Sequence, residues 1–561
     1  MKKFIDFCNL CEKLAKITER IPKIRLIAKF LRELDEEEIT PAARMLIGKV
    51  LPDWSELTLG LSWTSIIKVV KKLTGAKSRD LLEAFSKTGD PGDMARILFE
   101  KYRRRQATLI EITQEQLSIL DVYKELLKIA QIRGEGSTLK KEIILTGLLN
   151  KLSPLEIKYV IKIILGEMRI GVQEGTVEMA IAEAARVPLE LIRRANMFLA
   201  DIGETAKLAL TRGERGLKEV KVQLFRPYKP MLADQVSSVS EALAEHGVSA
   251  FEFKLDGARV QIHKKENQVK IFSRRLTDVT ESLPDVVEEV ITKVKATEVI
   301  LEGEVIAVNE EGKPLPFQYL VRRFRRVRDV QRLVKEIPVK LYVFDVLYLN
   351  GKELFDEPYE KRWEYLEKIC PKEMLVPRII TKNPEEAENF LKEAKMNGHE
   401  GLMAKRLTSP YIPGRREKHW LKIKPYYTLD LVIVAADWGY GRRKNWLSDY
   451  YLAARDEETG RYLIVGKTFK GLTDAELADM TKKLLALKIK EVGRTVYVQP
   501  KIVVEVAFDE IQKSPKWESG YALRFARILR IRWDKSPEEA DTISKIRELY
   551  QKQFEMKGSI I

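Results

Sequence analysis

The sequence predicts three domains in series: an all-α unit, an α+β unit of mixed strands and helices, and a small β-barrel. Three observations predict this. At 561 residues the chain is too long for one compact core. Its apolar residues change from helical spacing to a mixed texture and then to short strands. The proline-bearing stretches LFRPYKPMLADQ (224–235) and the segment around Pro425 fall where the texture changes. The expected domains are 1–225, 226–428 and 429–561, and linkers near 225–235 and 425–430 suggest that the three move independently.

In the first unit, IRLIAKFLREL, DLLEAFSK, LEIKYVIKIILGEM and VEMAIAEAARV all repeat apolar residues at helical spacing. Cys8 and Cys11 form a CxxC there. A zinc site needs about four ligands, and the four histidines, His246, His263, His399 and His419, lie far along the chain. The pair therefore reads as one face of a helix. With Cys370 the cysteines number three, which supports no disulfide framework and suits a reducing compartment.

The second unit alternates strands such as EVILEGEVIAV and KLYVFDVLYLNGKEL with helical stretches such as ESLPDVVEEVITKV and PEEAENFLKEAK. Asn350-Gly351 between apolar runs signals a hairpin. In the third unit, the strands LDLVIVAADW, DYYLAARD, RYLIVGKTF and KIVVEVAF, with the single helix TDAELADMTKKLLALK, suit a small barrel of OB type.

Composition narrows the function. Apolar residues make up 45%, no run is long enough to span a bilayer, and the N-terminus MKKFIDFCNLCEKLAK is amphipathic rather than a signal sequence. A soluble, cytoplasmic protein with no membrane partner is expected. Net charge is +16, from 99 basic and 83 acidic residues, which suits a polyanionic partner. The 32% charged residues would also fit a thermophilic surface. Clusters of arginine at 102–105 and in VRRFRRVR (321–328) favour the polyanion.

Chemistry concentrates in five segments. In FEFKLDGARVQIHKK (251–265), Phe251, Phe253 and Leu255 occupy one strand face, and Glu252, Lys254 and Asp256 the other. Gly257 breaks the pattern just before Arg259. In EVILEGEVIAV, Glu302 and Glu304 share a face, an expensive arrangement unless a cation sits between them. GHEGLMAKRL carries Glu400 before a glycine and Lys405 after it. HWLKIKPYY puts Trp420, Lys422 and Lys424 on one face. ALRFARILRIRWDK sets Arg524, Arg527, Arg530, Arg532 and Lys535 near Asp534. Each segment alone has an ordinary explanation, such as the wet face of a half-buried strand, but their order and spacing together do not.

These segments resemble the ATP-dependent DNA ligases of the archaeal and eukaryotic type, within the covalent nucleotidyltransferases. KLDGAR (254–259), IFSRR (271–275), ILEGEVIA (300–307), LYVFDVLYLNG (341–351), HEGLMAKRL (399–407), WLKIK (420–424) and ALRFARILRIRWDK (522–535) look like that family's seven motifs in order. GEMRIGVQEGTVEMAIAEA (166–184) is similar to its helical DNA-binding domain. The family fold is an all-α DNA-binding domain, an α+β nucleotidyltransferase (adenylation) domain and an OB-fold domain.

The resemblance implies that Lys254, with Asp256 as its catalytic companion, attacks the α-phosphate of ATP and holds AMP as a phosphoramidate. The AMP passes to the 5′-phosphate at a nick in double-stranded DNA, and the 3′-hydroxyl displaces it, as replication, repair and recombination require. Glu252, Arg259 and Arg274 would contact the nucleotide, and Phe344 would stack on adenine, although an aromatic in an apolar strand is more often core. Glu304 and Glu400 would serve ribose or metal, and Arg416, Lys422 and Lys424 would reach phosphates. Arg524, Asp534 and Lys535 would orient pyrophosphate as the last domain closes. Arg323 would contact DNA phosphate.

A lysine attacks only as the neutral amine, and Glu252 and Asp256 on its face would stabilise the ammonium. A divalent cation, magnesium in this family, is expected to offset them. The last motif departs at Ala526 and Trp533, where the family has proline and an acidic or polar residue. A monomer is expected. Clamp binding rests on the family alone, since Gln116, Ile119, Val122 and Tyr123 look more like a helix face than a clamp-binding peptide. An RNA ligase or capping enzyme is disfavoured by the long helical domain, a noncatalytic scaffold by the intact Lys254, Glu304, Glu400, Lys422 and Lys424, and an NAD-dependent ligase by the absence of a cysteine-rich zinc module.

Overall fold

The computed structural model describes residues 1–103, 116–324, 330–412, 416–424, 427–440 and 443–555. Arg104 and Arg105 of the first basic cluster, and residues 325–329 of the second, lie outside them.

Among the described residues from Phe4 to Lys218, every regular element is a helix. The helices start where the sequence supplies a cap: the side chains of Ser62, Ser118 and Ser153 accept from backbone N–H groups of the first turn, each contributing about 1 kcal/mol. They share one core running from Phe4 to Leu217. Helix Phe4–Lys16 buries Cys8 and Cys11 with Phe4, Phe7, Leu10 and Leu14, and the cysteines are free thiols. Ile119, Val122 and Tyr123 are buried in helix Ile119–Gln131, as a helix face and not as an exposed peptide.

The middle unit is a pair of five-stranded sheets. One has the order Leu232–Val236, Arg416–Ile423, Gly401–Arg406, Ser249–Lys254, Arg378–Thr381; the other runs Gln268–Ser273, Ala258–Lys265, Glu298–Ala307, Val339–Leu349, Lys352–Glu353. The chain crosses between them at residues 255–257, immediately after Lys254. Only glycine fits at 257, because a Cβ there would collide with the Val305 carbonyl. The expected hairpin forms, with Leu349 paired to Lys352 and both Asn350 and Gly351 at positive φ. In the last unit, Tyr427–Trp438 is the central strand, pairing with Leu447–Arg455, Thr495–Val498 and Val503–Phe508, and helix Asp474–Ala486 packs on this OB barrel.

The stretch at 225–235 is not the loose tether its prolines suggest. Tyr228 and Met231 are buried with Met197 and Phe198 of the helical unit and Phe355, Tyr411 and Trp420 of the middle unit. Lys229 pairs with Glu174, and Arg226 with Glu204 at 2.8 Å. Phe225 sits at φ 67°, and its N–H donates to Nδ1 of the buried His263 at 2.9 Å. Two cores thus meet across the linker, because its apolar residues find partners on both sides.

Arg323 is 1% exposed. It pairs with Asp285 and donates to the carbonyls of Ser282 at 3.2 Å and Ile337 at 3.1 Å. It cannot contact DNA phosphate from there; it ties helix Phe317–Phe324 to its neighbours. Arg323→Ala is expected to cost about 1–3 kcal/mol in the unfolding of the middle unit, since the buried Ser282 and Ile337 carbonyls lose their donor, and to leave nicked-DNA affinity unchanged. Denaturant titration beside a DNA-binding isotherm checks both.

Candidate active site

A cavity of about 680 Å³ opens between the two sheets of the middle unit. Lys254 enters it from the end of strand Ser249–Lys254, and Arg259 from the start of strand Ala258–Lys265. Strand pairing delivers the others: Arg259 lies opposite Glu304, and Lys422 opposite Met403. Glu400 follows from the turn before Gly401, whose backbone passes against Ile423 and Lys424 too closely to admit a Cβ. Glu252, Asp256, Arg274, Phe344 and Lys422 complete the predicted residues on its wall.

Lys254 pairs with Glu400, which also accepts from Lys424 at 3.1 Å. Lys424 reaches further, to Asp509 of the OB domain at 3.3 Å. Burial pulls the Lys254 pKa down, but Glu400, with Glu304 and Asp256 behind it, more than reverses this and raises it above the ordinary lysine value. Asp256 acts on the amine as expected, but Glu400 contributes most. Glu252 is 2% exposed and pairs instead with Lys405, at 2.7 Å, and with the Tyr359 hydroxyl. Burial pushes Glu304 up to about 7 against the pull of Lys254 and Arg259. The two lysines outweigh burial at Glu400 and hold it low.

The far end of the cavity is aromatic and cationic. Phe344 lines it while packing against Trp420, so it is a wall residue as well as a core one. Arg259 lies over both rings, at 5.6 and 5.4 Å, and donates to the Met231 carbonyl at 2.7 Å. Its Nε and the indole N–H of Trp420 are buried donors with no hydrogen-bond partner. Such donors are costly unless a ligand meets them. Lys405, 1% exposed, sits in a cage of Phe344, Tyr359 and Trp420, at 4.4–4.7 Å from each ring. Sequence reasoning gave no role to Lys405, Trp420, Tyr411 or Asp509. The alternation of Trp420 with Leu421 and Ile423 was a signal for that residue, and the sequence around Lys405 carried none.

Three predicted residues lie elsewhere. Arg524 pairs with Glu510, Asp534 with Arg532, and Lys535 with Asp430, all within the OB domain. The side chain of Arg416 lies outside the described residues. Among the described residues no group of three His, Cys, Asp or Glu could hold a metal. Glu304 and Glu400 could supply two oxygens, and Mg²⁺ commonly takes the rest from water and phosphate.

Comparison with known proteins places three family models in order on the chain: DNA ligase N terminus at 3–182, ATP dependent DNA ligase domain at 230–424, and ATP dependent DNA ligase C terminal region at 443–535. The chain is 46% identical over 550 residues to "DNA ligase 1" of Korarchaeum cryptofilum, covering 98% of each chain. It is 44% identical over 561 residues to "DNA ligase" of Thermococcus onnurineus, covering 99% of each. Among solved structures, Pmar-Lig_PreS3 shares the fold with a TM-score of 0.56 at 17% identity, covering 94% of this chain and 99% of that one.

Glu304 gives this site a pH signature. Its carboxyl rises from 4.5 to about 7 on folding, so the native state binds the extra proton and stability is lost as pH rises through that window. The loss is roughly 3 kcal/mol. Denaturation of metal-free, nucleotide-free protein at pH 5 and pH 7.5 should show it, and Glu304→Gln should flatten the dependence; an equal loss in both would refute the assignment.

Proposed function

The chain belongs to the ATP-dependent DNA ligases, and from that premise we propose that its cavity binds ATP and that Lys254 carries AMP from ATP to the 5′-phosphate of a nick. The observation that carries this is the lysine itself: a half-buried amine held by Glu400 on the wall of a cavity that also bears cations and unsatisfied donors.

The chemistry follows from the geometry. Phe344 offers its face to the base, and the Arg259 Nε and the Trp420 indole offer donors to the bound nucleotide. Arg274, Lys422 and Lys424 supply positive charge for the phosphates, with Arg416 as a further contact by resemblance. Lys254 Nζ bonds the α-phosphorus as the bond to the β-bridging oxygen breaks and pyrophosphate leaves. The amine must first shed a proton to solvent, which Glu400 opposes while it is paired with Lys254, so that pairing must loosen before attack. A 5′-phosphate oxygen then attacks the adenylate phosphorus and expels the lysine. Finally the 3′-hydroxyl attacks the activated 5′-phosphorus, expelling AMP and sealing the strand. Asp256 is assigned as a catalytic companion of Lys254, raising its affinity for a proton between steps. A magnesium ion held by Glu304 and Glu400 would neutralise phosphoryl charge and lower the cost of the neutral amine.

The helical domain supports the DNA reading. A second cavity, of about 770 Å³, surrounds the loop 166–176, bordered by Arg20, Lys23 and Arg169 at the start of helix Glu174–Ala185. Backbone N–H groups and guanidinium groups together are a phosphate-binding surface. Arg524, Asp534 and Lys535 are assigned to pyrophosphate in a closed arrangement of the OB domain. The functional units are taken as 1–225, 226–428 and 429–561. The protein is proposed to act as a cytoplasmic monomer in replication, repair and recombination, with clamp binding a family-based expectation. Among the described residues no helix is long and apolar enough to cross a membrane.

Incubation with α-labelled ATP and magnesium, wild type beside Lys254→Ala, tests the assignment after any bound AMP is stripped. Covalent label on wild type, lost in the variant and transferred to nicked DNA on chase, is expected. Label retained by Lys254→Ala would overturn it.

A further inference from the structure

Arg259 owes its place in the cavity to Glu302, and Glu302 is held in part from the linker that packs on the helical domain. Glu302 is 1% exposed and accepts from Arg259, from the Tyr411 hydroxyl and, at 3.3 Å, from the Tyr228 hydroxyl. Tyr228 belongs to the linker that joins the helical and middle domains. Its ring meets Phe355 edge-on at 5.0 Å, and Phe355 in turn meets Phe198 of the helical domain edge-on at 5.0 Å. Arg194 covers this contact, lying 5.2 Å from the Phe198 ring and donating to Asp356 at 3.1 Å. Met231, on the same linker, accepts from Arg259 through its carbonyl and donates its N–H to the Tyr411 hydroxyl oxygen, a bond of 2.9 Å.

We propose that the helical domain is a working part of the nucleotide site: Phe198, acting through Phe355 and Tyr228 on Glu302, is a positioning residue that sets Arg259 for adenylation of Lys254. A buried carboxylate that accepts from one guanidinium and two hydroxyls has little freedom to re-aim. Close packing transmits a displacement at Phe198 to Tyr228 rather than absorbing it. The helical domain therefore contributes to the first step, before any DNA is bound. That contribution is separate from its contact with DNA and rests on the assignment of the cavity to ATP.

The test is single-turnover transfer of label from ATP to Lys254 in full-length protein without DNA, with the ATP dependence of the rate recorded. Label on wild type establishes the underlying assignment. Phe198→Ala should then raise the ATP concentration for half-maximal rate about tenfold, a coupling ordinary for residues in one network. Tyr228→Phe, which removes one hydroxyl and leaves packing intact, should shift it in the same direction by less. In an Arg259→Met background neither substitution should have a further effect. If both slow adenylation by the same factor whether or not Arg259 is present, the helical domain acts by general stability and the proposal fails; it fails equally if Phe198→Ala, folded by circular dichroism, adenylates as wild type does.

Discussion

Glu400 accepts from Lys254 and Lys424 at once, and the rest of the site is arranged around that shared carboxylate. Two ammonium groups cannot be buried side by side without an anion between them, and the anion cannot be buried without them. The alternation fixes where the nucleophile stands. It also favours the protonated form of the Lys254 amine. On the proposed role of the site, phosphates beside Lys422 and Lys424 would compete with Glu400 for the cations, and a divalent ion would compete with the lysines for Glu400, so that charge alone would couple substrate binding to release of the amine.

The same carboxylate reaches the OB domain, since Lys424 also contacts Asp509. A lysine shared by two domains reports where the second one sits. The helical domain meets the middle one through an apolar core of Phe198, Tyr228 and Phe355, with ion pairs such as Arg194–Asp356 at its edge. The two junctions differ in kind: the helical junction has a packed apolar centre, and the OB contact at the cavity is ionic.

Much of this was legible in the sequence. Periodicity found the helices, the strands and the Asn350-Gly351 hairpin, because each is decided by neighbours a few residues apart. The motif resemblance brought Lys254, Arg259, Arg274, Glu304, Glu400 and Lys422 to one cavity. What sequence could not supply was what lies across from a face. Glu252 shares the face of Lys254, yet its carboxylate is taken up by Lys405 on the neighbouring strand. Arg323 shows the same limit. In a run of arginines, alternation cannot tell which one turns inward to Asp285. The prolines at 227 and 230 pointed to a flexible tether, whereas Tyr228 and Met231 decide the matter by burial.

The central claim is that Glu400 holds the Lys254 amine protonated before nucleotide binds. Trace acetylation of nucleotide-free protein across pH, with Lys254 read by mass spectrometry of its peptide, measures that amine without relying on catalysis. In Glu400→Gln the midpoint should move to lower pH than in wild type, because burial is then opposed by less negative charge. An unchanged midpoint, or one moved upward, would contradict the account.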